Sequence, residues 1–168
     1  MSSSAEVPRD AAGRSFEDFE VGAVIRHPIG RTISAADNAL TTLLAVNTNP
    51  IHFDANYAAQ TEFKRPLVNS PFVLAIVTGL SVADISRYAV NLGWDEVRLP
   101  APVFEGDTIY AMTEILSARE SKSRPHMGIV EVKTTGFNQD GRVVMTFRRS
   151  VLVYKRSHLP KIPVPDVR

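Results

Sequence analysis

The feature that most constrains the fold is an apolar segment in the middle of the chain. Residues 67–83 contain no charged side chain over 17 positions. From Phe72 to about Tyr88, apolar side chains recur on nearly every side of a helical projection. The stretch is slightly short and too polar to cross a membrane, and a helix with so little polar face requires other elements packed around it. We therefore predict a buried central helix.

Three segments that follow this helix have the composition of β-strands. Thr108–Ser117, Gly128–Phe137 and Arg142–Tyr154 are rich in β-branched and aromatic residues. The last two are joined by Asn138–Gly141, a four-residue turn that ends in glycine. Long antiparallel strands after one buried helix predict an α+β fold, in which the sheet curls around that helix.

The segment before the central helix predicts shorter elements. Residues 22–34 indicate a first strand with an irregular middle, and Ser34 with Asp37 forms the pattern of a helix-capping box. Behind this cap, Ala36, Leu40, Leu43 and Leu44 fall on one helical face. Asp54 is placed to cap a short helix that ends at Gln60.

Length and charge limit the domain organisation and the classes of partner. With 168 residues, we expect one folded domain over residues 16–155, a flexible tail at 1–15 and a proline-containing tail at 156–168. The net charge of +1 argues against a nucleic-acid partner, and the lack of cysteine excludes thiolate sites. Residues 1–14 contain no apolar run like that of a secretory signal, so we expect a cytoplasmic protein with no membrane partner.

The chemistry concentrates at Asn47–Asp54. His52 follows a turn enforced by Pro50, and histidine is the side chain best suited to proton transfer near neutral pH. Asn47 lies five residues earlier, at the end of the preceding helix, so both side chains could face one cleft. Spacing alone leaves open a second interpretation, in which His52 is hydrogen-bonded to backbone at the start of a helix.

Several ordered motifs resemble those of the MaoC-like dehydratase family. Val46–His52 matches, without gaps, the hydratase signature Gly-Asp-x-Asn-Pro-Leu/Ile-His. Phe63–Ser70 resembles the family's Phe-x-Arg-Pro-Ile-Val-His-Gly, and Pro102–Thr108 resembles its Pro-Val-x-x-Gly-Asp-Thr. The resemblance extends over residues 16–154. It implies a single hot-dog domain, at least a dimer, and an acyl-CoA thioester bound near the subunit interface with no further cofactor.

The chain departs from the family pattern at Asn47 and at Asn69–Ser70. Asn47 stands where the hydratases have an aspartate, and an amide cannot take up a proton as a general base does. Asn69–Ser70 replaces the usual His-Gly, although Ser70 retains the backbone N–H that the family directs at the thioester carbonyl. Thr78 occupies the place of a serine that supports the active-site pair.

Asn47 allows two interpretations. Either catalysis is lost and an acyl-CoA-binding protein remains, or the substrate carries its own carboxylate. A protein carboxylate about 4 Å from that group would be repelled by about 4 kcal/mol at an effective dielectric near 20, and asparagine removes the repulsion. Arg65 and Asn69 would then add anion contacts. The pattern resembles a MaoC-like subgroup that acts on mesaconyl-CoA, methylmalyl-CoA or itaconyl-CoA.

We therefore predict reversible hydration of an enoyl-CoA, or dehydration of a 3-hydroxyacyl-CoA. His52 is the expected acid/base, Asn47 orients water or substrate, and the Ser70 N–H stabilises the thioester oxygen. A hot-dog thioesterase is an alternative, although Glu62 is the only acid near the motif. No metal site is expected. The other histidines are predicted to be surface or loop residues, namely His27, His126 and His158.

Overall fold

The computed structural model describes residues 13–161, which form one antiparallel sheet and three α-helices. The strands run in the order β1-β4-β5-β6-β3 across the sheet, and β2 pairs with the start of β4. The elements are β1 (Val24–Arg26), β2 (Arg31–Thr32), α1 (Ala35–Leu44), α2 (Ala55–Gln60), α3 (Ser70–Leu80), β3 (Ala89–Arg98), β4 (Thr108–Glu120), β5 (Met127–Phe137) and β6 (Val143–Tyr154).

The sheet curves around α3, as the apolar segment predicts. Buried residues alternate with more exposed ones along β4, β5 and β6, so that one face of the sheet lines the core. Val73 and Val77 of α3 pack into that face and are fully buried. The approach is close, because a Cβ at Gly136 would lie 2.5 Å from a methyl group of Val77. The α+β prediction is confirmed.

The predicted caps of the short helices are confirmed. The Ser34 hydroxyl accepts a hydrogen bond from the Asp37 N–H at 3.1 Å, and the Asp37 carboxylate accepts one from the Ser34 N–H at 2.9 Å. Asp54 likewise accepts from the N–H of Tyr57 at 3.0 Å, at the start of α2. These bonds satisfy donors that a helix cannot satisfy within its first turn.

Two elements differ from the prediction around the central helix. The α-helix ends at Leu80 and continues as a π-helical turn over Val82–Ser86. The strand β3, which the sequence pattern did not indicate, then forms one edge of the sheet. Its pairing with β6 shifts register between Asn91 and Gly93 and again between Asp95 and Arg98. These irregularities break the period-two alternation by which a strand is recognised.

The apolar face of α1 is exposed in the single chain. Leu40, Leu43 and Leu44 are 60%, 60% and 74% exposed, whereas Asn38 and Thr42 are the buried side chains of this helix. No other element of the described chain covers these three leucines. Helical periodicity shows which side chains share a face but not what covers that face.

The ends of the described chain meet. The carboxylate of Glu17 accepts a hydrogen bond from the backbone N–H of Arg156 at 2.9 Å, and the Arg156 guanidinium pairs with Asp18. The predicted tails lie mostly outside the described residues, at 1–12 and 162–168. Within residues 13–161, no helix has the length and apolar character needed to cross a membrane.

Candidate active site

A cavity of about 280 Å³ opens beside the N-terminus of α3. Its walls are mainly apolar and come from the loop before α3 and from residues 99–103. His52 and Ser70 are the two lining residues with polar side chains. An apolar cavity with a few polar groups is the usual form of a small-molecule site.

His52 is held in a defined orientation. It ends a short 3-10 helix that begins with Pro50, and the Asn49 side chain caps this helix by accepting from the Ile51 N–H at 3.2 Å. The His52 Nδ1 lies 3.0 Å from the carbonyl oxygen of Leu67. Because a carbonyl oxygen only accepts, Nδ1 must carry the hydrogen, and in the neutral ring Nε2 is free to accept a proton. The half-buried imidazole is therefore arranged as a base.

Ser70 lines the same cavity and is the first residue of α3. The preceding Asn69 caps this helix by accepting from the Phe72 N–H at 2.9 Å. The N–H of a first helical residue has no partner within its helix, and the helix dipole favours negative charge there. The residues that line the cavity thus offer a base and a donor suited to an oxyanion.

Two further predicted residues do not line this cavity. The Asn47 Oδ1 accepts a hydrogen bond from the Asn49 N–H at 3.1 Å, which fixes the loop before the 3-10 helix. Thr78 lies eight residues beyond Ser70 on α3, about 12 Å away at the usual helical rise. Its hydroxyl oxygen is buried and has no hydrogen-bond partner within the part of the chain that the structure describes. One chain therefore brings together His52 and Ser70 but not Asn47 and Thr78.

The two predicted anion contacts differ in their surroundings. The exposed Arg65 guanidinium stacks on the ring of Phe104, 3.7 Å from its centroid, and keeps its N–H groups accessible. Asn69 is buried, and its amide donates to the hydroxyls of Thr41 at 3.1 Å and Thr42 at 2.7 Å. Both amide hydrogens of Asn69 are thus used within the fold, which leaves none for a substrate carboxylate.

Sequence reasoning missed one residue beside the cavity. Asn38, on the buried face of α1, donates from its amide to the backbone carbonyls of His52 at 2.8 Å and Leu67 at 2.9 Å. In the sequence, Asn38 is only a polar residue one position after the capping Asp37. Local spacing does not connect it with His52 and Leu67, which lie 14 and 29 positions away.

His27 lies in the loop after β1, as one part of the prediction has it, but it is not a surface residue. It is 4% exposed, and its ring nitrogens lie 2.8 Å from the Asp84 carboxylate and 2.9 Å from the Thr113 hydroxyl. Asp84 is 57 positions away in sequence, so a search at metal-ligand spacing cannot find this pair. Among residues 13–161, no three metal-binding side chains come together to hold an ion.

Comparisons with known proteins agree with this fold. A family model described as mesaconyl-CoA hydratase matches residues 5–161. The mesaconyl-CoA hydratase of Cereibacter sphaeroides is 36% identical over 157 residues, which are 93% of this chain and 46% of that protein. The (R)-specific enoyl-CoA hydratase of Aeromonas caviae is 30% identical over 79% of this chain and 93% of its own length.

The similarity extends to solved structures. The crystal structure of a MaoC domain dehydratase from Chloroflexus aurantiacus superposes with a TM-score of 0.83 at 34% identity, over 96% of this chain and 47% of that one. A Mycobacterium tuberculosis protein described as a double hotdog fold superposes with a TM-score of 0.77 over 91% of this chain, at 24% identity. The fold is therefore a hot-dog fold. The chain spans about half the length of the mesaconyl-CoA hydratase relatives, and it belongs to the mesaconyl-CoA hydratase family of MaoC-like proteins.

Proposed function

We propose that this chain catalyses the reversible hydration of an enoyl-CoA, and so also the dehydration of a 3-hydroxyacyl-CoA. The observation that carries the proposal is that His52 and Ser70 line one cavity. His52 offers a base, and Ser70 offers a backbone N–H that its helix leaves without a partner. Relatives support a branched dicarboxylic acyl group, because the Chloroflexus aurantiacus relative, 36% identical over 155 residues, is a beta-methylmalyl-CoA dehydratase. The substrate class is thus of the mesaconyl-CoA or itaconyl-CoA type.

The mechanism follows from the two groups in the cavity. The His52 Nε2 removes a proton from water as the water oxygen bonds to the β-carbon of the enoyl thioester. The electrons of the double bond move toward the thioester oxygen, where the Ser70 N–H stabilises the developing charge. The enolate then takes a proton at the α-carbon from the imidazolium, which returns His52 to its neutral form. Thioester and solvent supply every atom, so we propose no further cofactor.

Asn47 does not line the cavity of the single chain, so we propose it as an orienting group that meets the substrate where the substrate extends beyond the cavity. Its amide can hold water or a substrate carboxylate by hydrogen bonding without adding negative charge. Arg65, whose guanidinium is kept in place by Phe104, is a second candidate for contact with the acyl carboxylate.

A second copy of the chain would complete the molecule. The leucines of α1 are exposed, and so are Val90 and Leu92 on the edge strand β3, at 56% and 52%. A stable monomer seldom exposes apolar surfaces and sheet edges of this kind. The distance of Thr78 from the cavity of its own chain is also consistent with a role beside a partner's cavity. We propose at least a homodimer that acts in the cytoplasm, and sedimentation at micromolar concentration tests this assembly.

The test of the reaction is a hydration assay that follows the enoyl-thioester absorbance with crotonyl-CoA, mesaconyl-CoA and itaconyl-CoA in parallel. We expect turnover that favours the dicarboxylic substrates. Turnover of crotonyl-CoA alone would retain the reaction class and refute the proposed role of Asn47. Binding without turnover would favour an acyl-CoA-binding protein, and release of free CoA thiol would favour a thioesterase.

A further inference from the structure

We propose that Asn38 is a positioning residue that holds His52 and the N-terminus of α3 in register with each other. This inference rests on the proposed function for its catalytic consequence, but its structural content can be tested without a substrate. Asn38 lies on α1, is fully buried, and does not line the cavity. Any effect on the reaction must therefore pass through its hydrogen bonds.

The amide nitrogen of Asn38 fixes both supports of the imidazole. It donates to the backbone carbonyl of His52 at 2.8 Å and to the carbonyl of Leu67 at 2.9 Å. The Leu67 carbonyl is also the acceptor for the His52 Nδ1 at 3.0 Å. One amide group therefore holds the backbone of His52 and the oxygen atom that orients its ring.

The amide oxygen of Asn38 connects this arrangement to the oxyanion donor. It accepts a hydrogen bond from the Asn69 N–H at 3.1 Å. Asn69 caps α3 and immediately precedes Ser70, so its backbone position determines where the Ser70 N–H points. The base and the donor are thus tied to the same side chain.

The orientation of the Asn38 amide is set by its neighbours. The nitrogen faces three acceptors, the two carbonyls and the Glu105 carboxylate at 3.2 Å, while the oxygen faces one N–H donor. A flipped amide would place its oxygen against three other oxygens and its nitrogen against another donor. The residue must therefore both donate and accept, as asparagine does.

The structure predicts what removal of this amide does to catalysis. Without its donors, the His52 loop and the α3 cap are free to move relative to each other. A misplacement of about 1 Å between reacting groups costs about 10²-fold in rate. Because substrate does not touch Asn38, kcat should fall by about 10²-fold with a much smaller change in KM.

The experiment compares Asn38→Leu, which keeps the branched shape, and Asn38→Ala with the matched control Asn138→Ala. Asn138 is also buried, but within residues 13–161 its side chain bonds only to the β5–β6 turn, at Asp140 and Arg142. The first readout is the ¹⁵N NMR tautomer of neutral His52, identified by loss of its signals in His52→Ala. We expect the Nδ1–H form in the wild type and the control, and a mixture of tautomers in the Asn38 variants.

The second readout is kcat and KM for mesaconyl-CoA. We expect a loss of kcat in the Asn38 variants that the control does not share. Three results would each overturn the inference. The first is an Nε2–H tautomer in the wild type, and the second is a folded Asn38 variant whose tautomer and kcat are unchanged. The third is failure of both Asn38 variants to fold. If the wild type does not hydrate the substrate, the proposed function fails, but the tautomer measurement still decides the role of Asn38.

Discussion

The tautomer of one imidazole determines what the cavity can do. His52 is a base at Nε2 only because Nδ1 donates to the Leu67 carbonyl. His52 could be predicted from a proline-bounded turn and from the family motif, whereas Ser70 could be predicted only from the family resemblance. The sequence could not predict the contacts of Asn38 or the His27–Asp84 pair, since these contacts join residues 14 to 67 positions apart.

Asn47→Asp tests whether the uncharged side chain at position 47 favours a substrate that carries its own carboxylate. A carboxylate at position 47 near a substrate carboxylate would introduce repulsion of up to about 4 kcal/mol at about 4 Å. We therefore expect kcat/KM for mesaconyl-CoA to fall at least about tenfold and that for crotonyl-CoA to rise. Parallel hydration assays measure both values. An Asn47→Asp variant with a stronger preference for mesaconyl-CoA would show that the argument is wrong.

Among the elements, α1 shows how local signals and tertiary contacts differ. Its capping box was predictable because both partners lie within four residues, whereas the exposure of its leucines depends on what packs against them. The same contrast holds for the strands. The regular alternation of β4, β5 and β6 made them predictable, whereas the two register shifts of β3 hid that strand.

Ser34→Ala tests the contribution of this cap. The pKa of the Asp37 carboxyl lies below its ordinary value of 3.8 because the Ser34 N–H and hydroxyl donate to it. Loss of the cap should lower the free energy of unfolding by about 1 kcal/mol at pH 7. A carboxyl whose pKa is lowered in the folded state stabilises the fold at pH values above its ordinary pKa. This contribution to the free energy of unfolding is lost as the pH falls through the folded-state pKa.

The difference between wild type and Ser34→Ala should therefore shrink in acid. Urea unfolding at pH 7 and at pH 3 measures it, and Ser117→Ala, on the exposed face of β4, serves as the control. The proposed contribution of the cap would be contradicted if Ser34→Ala were as stable as wild type at pH 7. It would also be contradicted if the difference in free energy of unfolding grew in acid.

At the scale of the whole molecule, a polar layer divides the core in two. Along β4, Thr113 lies between Ala111 of one apolar cluster and Ile115 of the other. Along β6, the buried Arg149 occupies the equivalent place, where burial lowers its pKa to about 10 and Ser81 accepts from its guanidinium at 2.9 Å. No periodicity in the sequence identifies such a layer, since it exists only when the strands are side by side.

Asp84→Ala tests how much this layer contributes to the stability of the protein. Asp84 joins the layer through His27, whose ring also contacts the Thr113 hydroxyl. The substitution removes the carboxylate that lies 2.8 Å from the buried His27 ring. Removing one partner of a buried hydrogen bond leaves the other partner unsatisfied and typically costs about 1–3 kcal/mol, whereas an exposed pair contributes about 0–1 kcal/mol. Arg148→Ala, which breaks the exposed contact with Glu96 at 3.5 Å, is the matched control. Urea unfolding at one protein concentration should separate the variants, and equal small losses would contradict a structural role for the layer.

The central claim is that His52 performs the proton transfers of hydration, and His52→Ala tests it most directly. The measurement is the rate of mesaconyl-CoA hydration by His52→Ala, beside wild type and His126→Ala, a histidine that contacts Tyr154 and His158 instead of the cavity. Loss of a general acid/base costs about 10²–10⁴-fold. We predict a loss of about 10³-fold in folded His52→Ala, with His126→Ala near wild type. A folded His52→Ala variant that retains more than about a tenth of wild-type turnover would contradict the account.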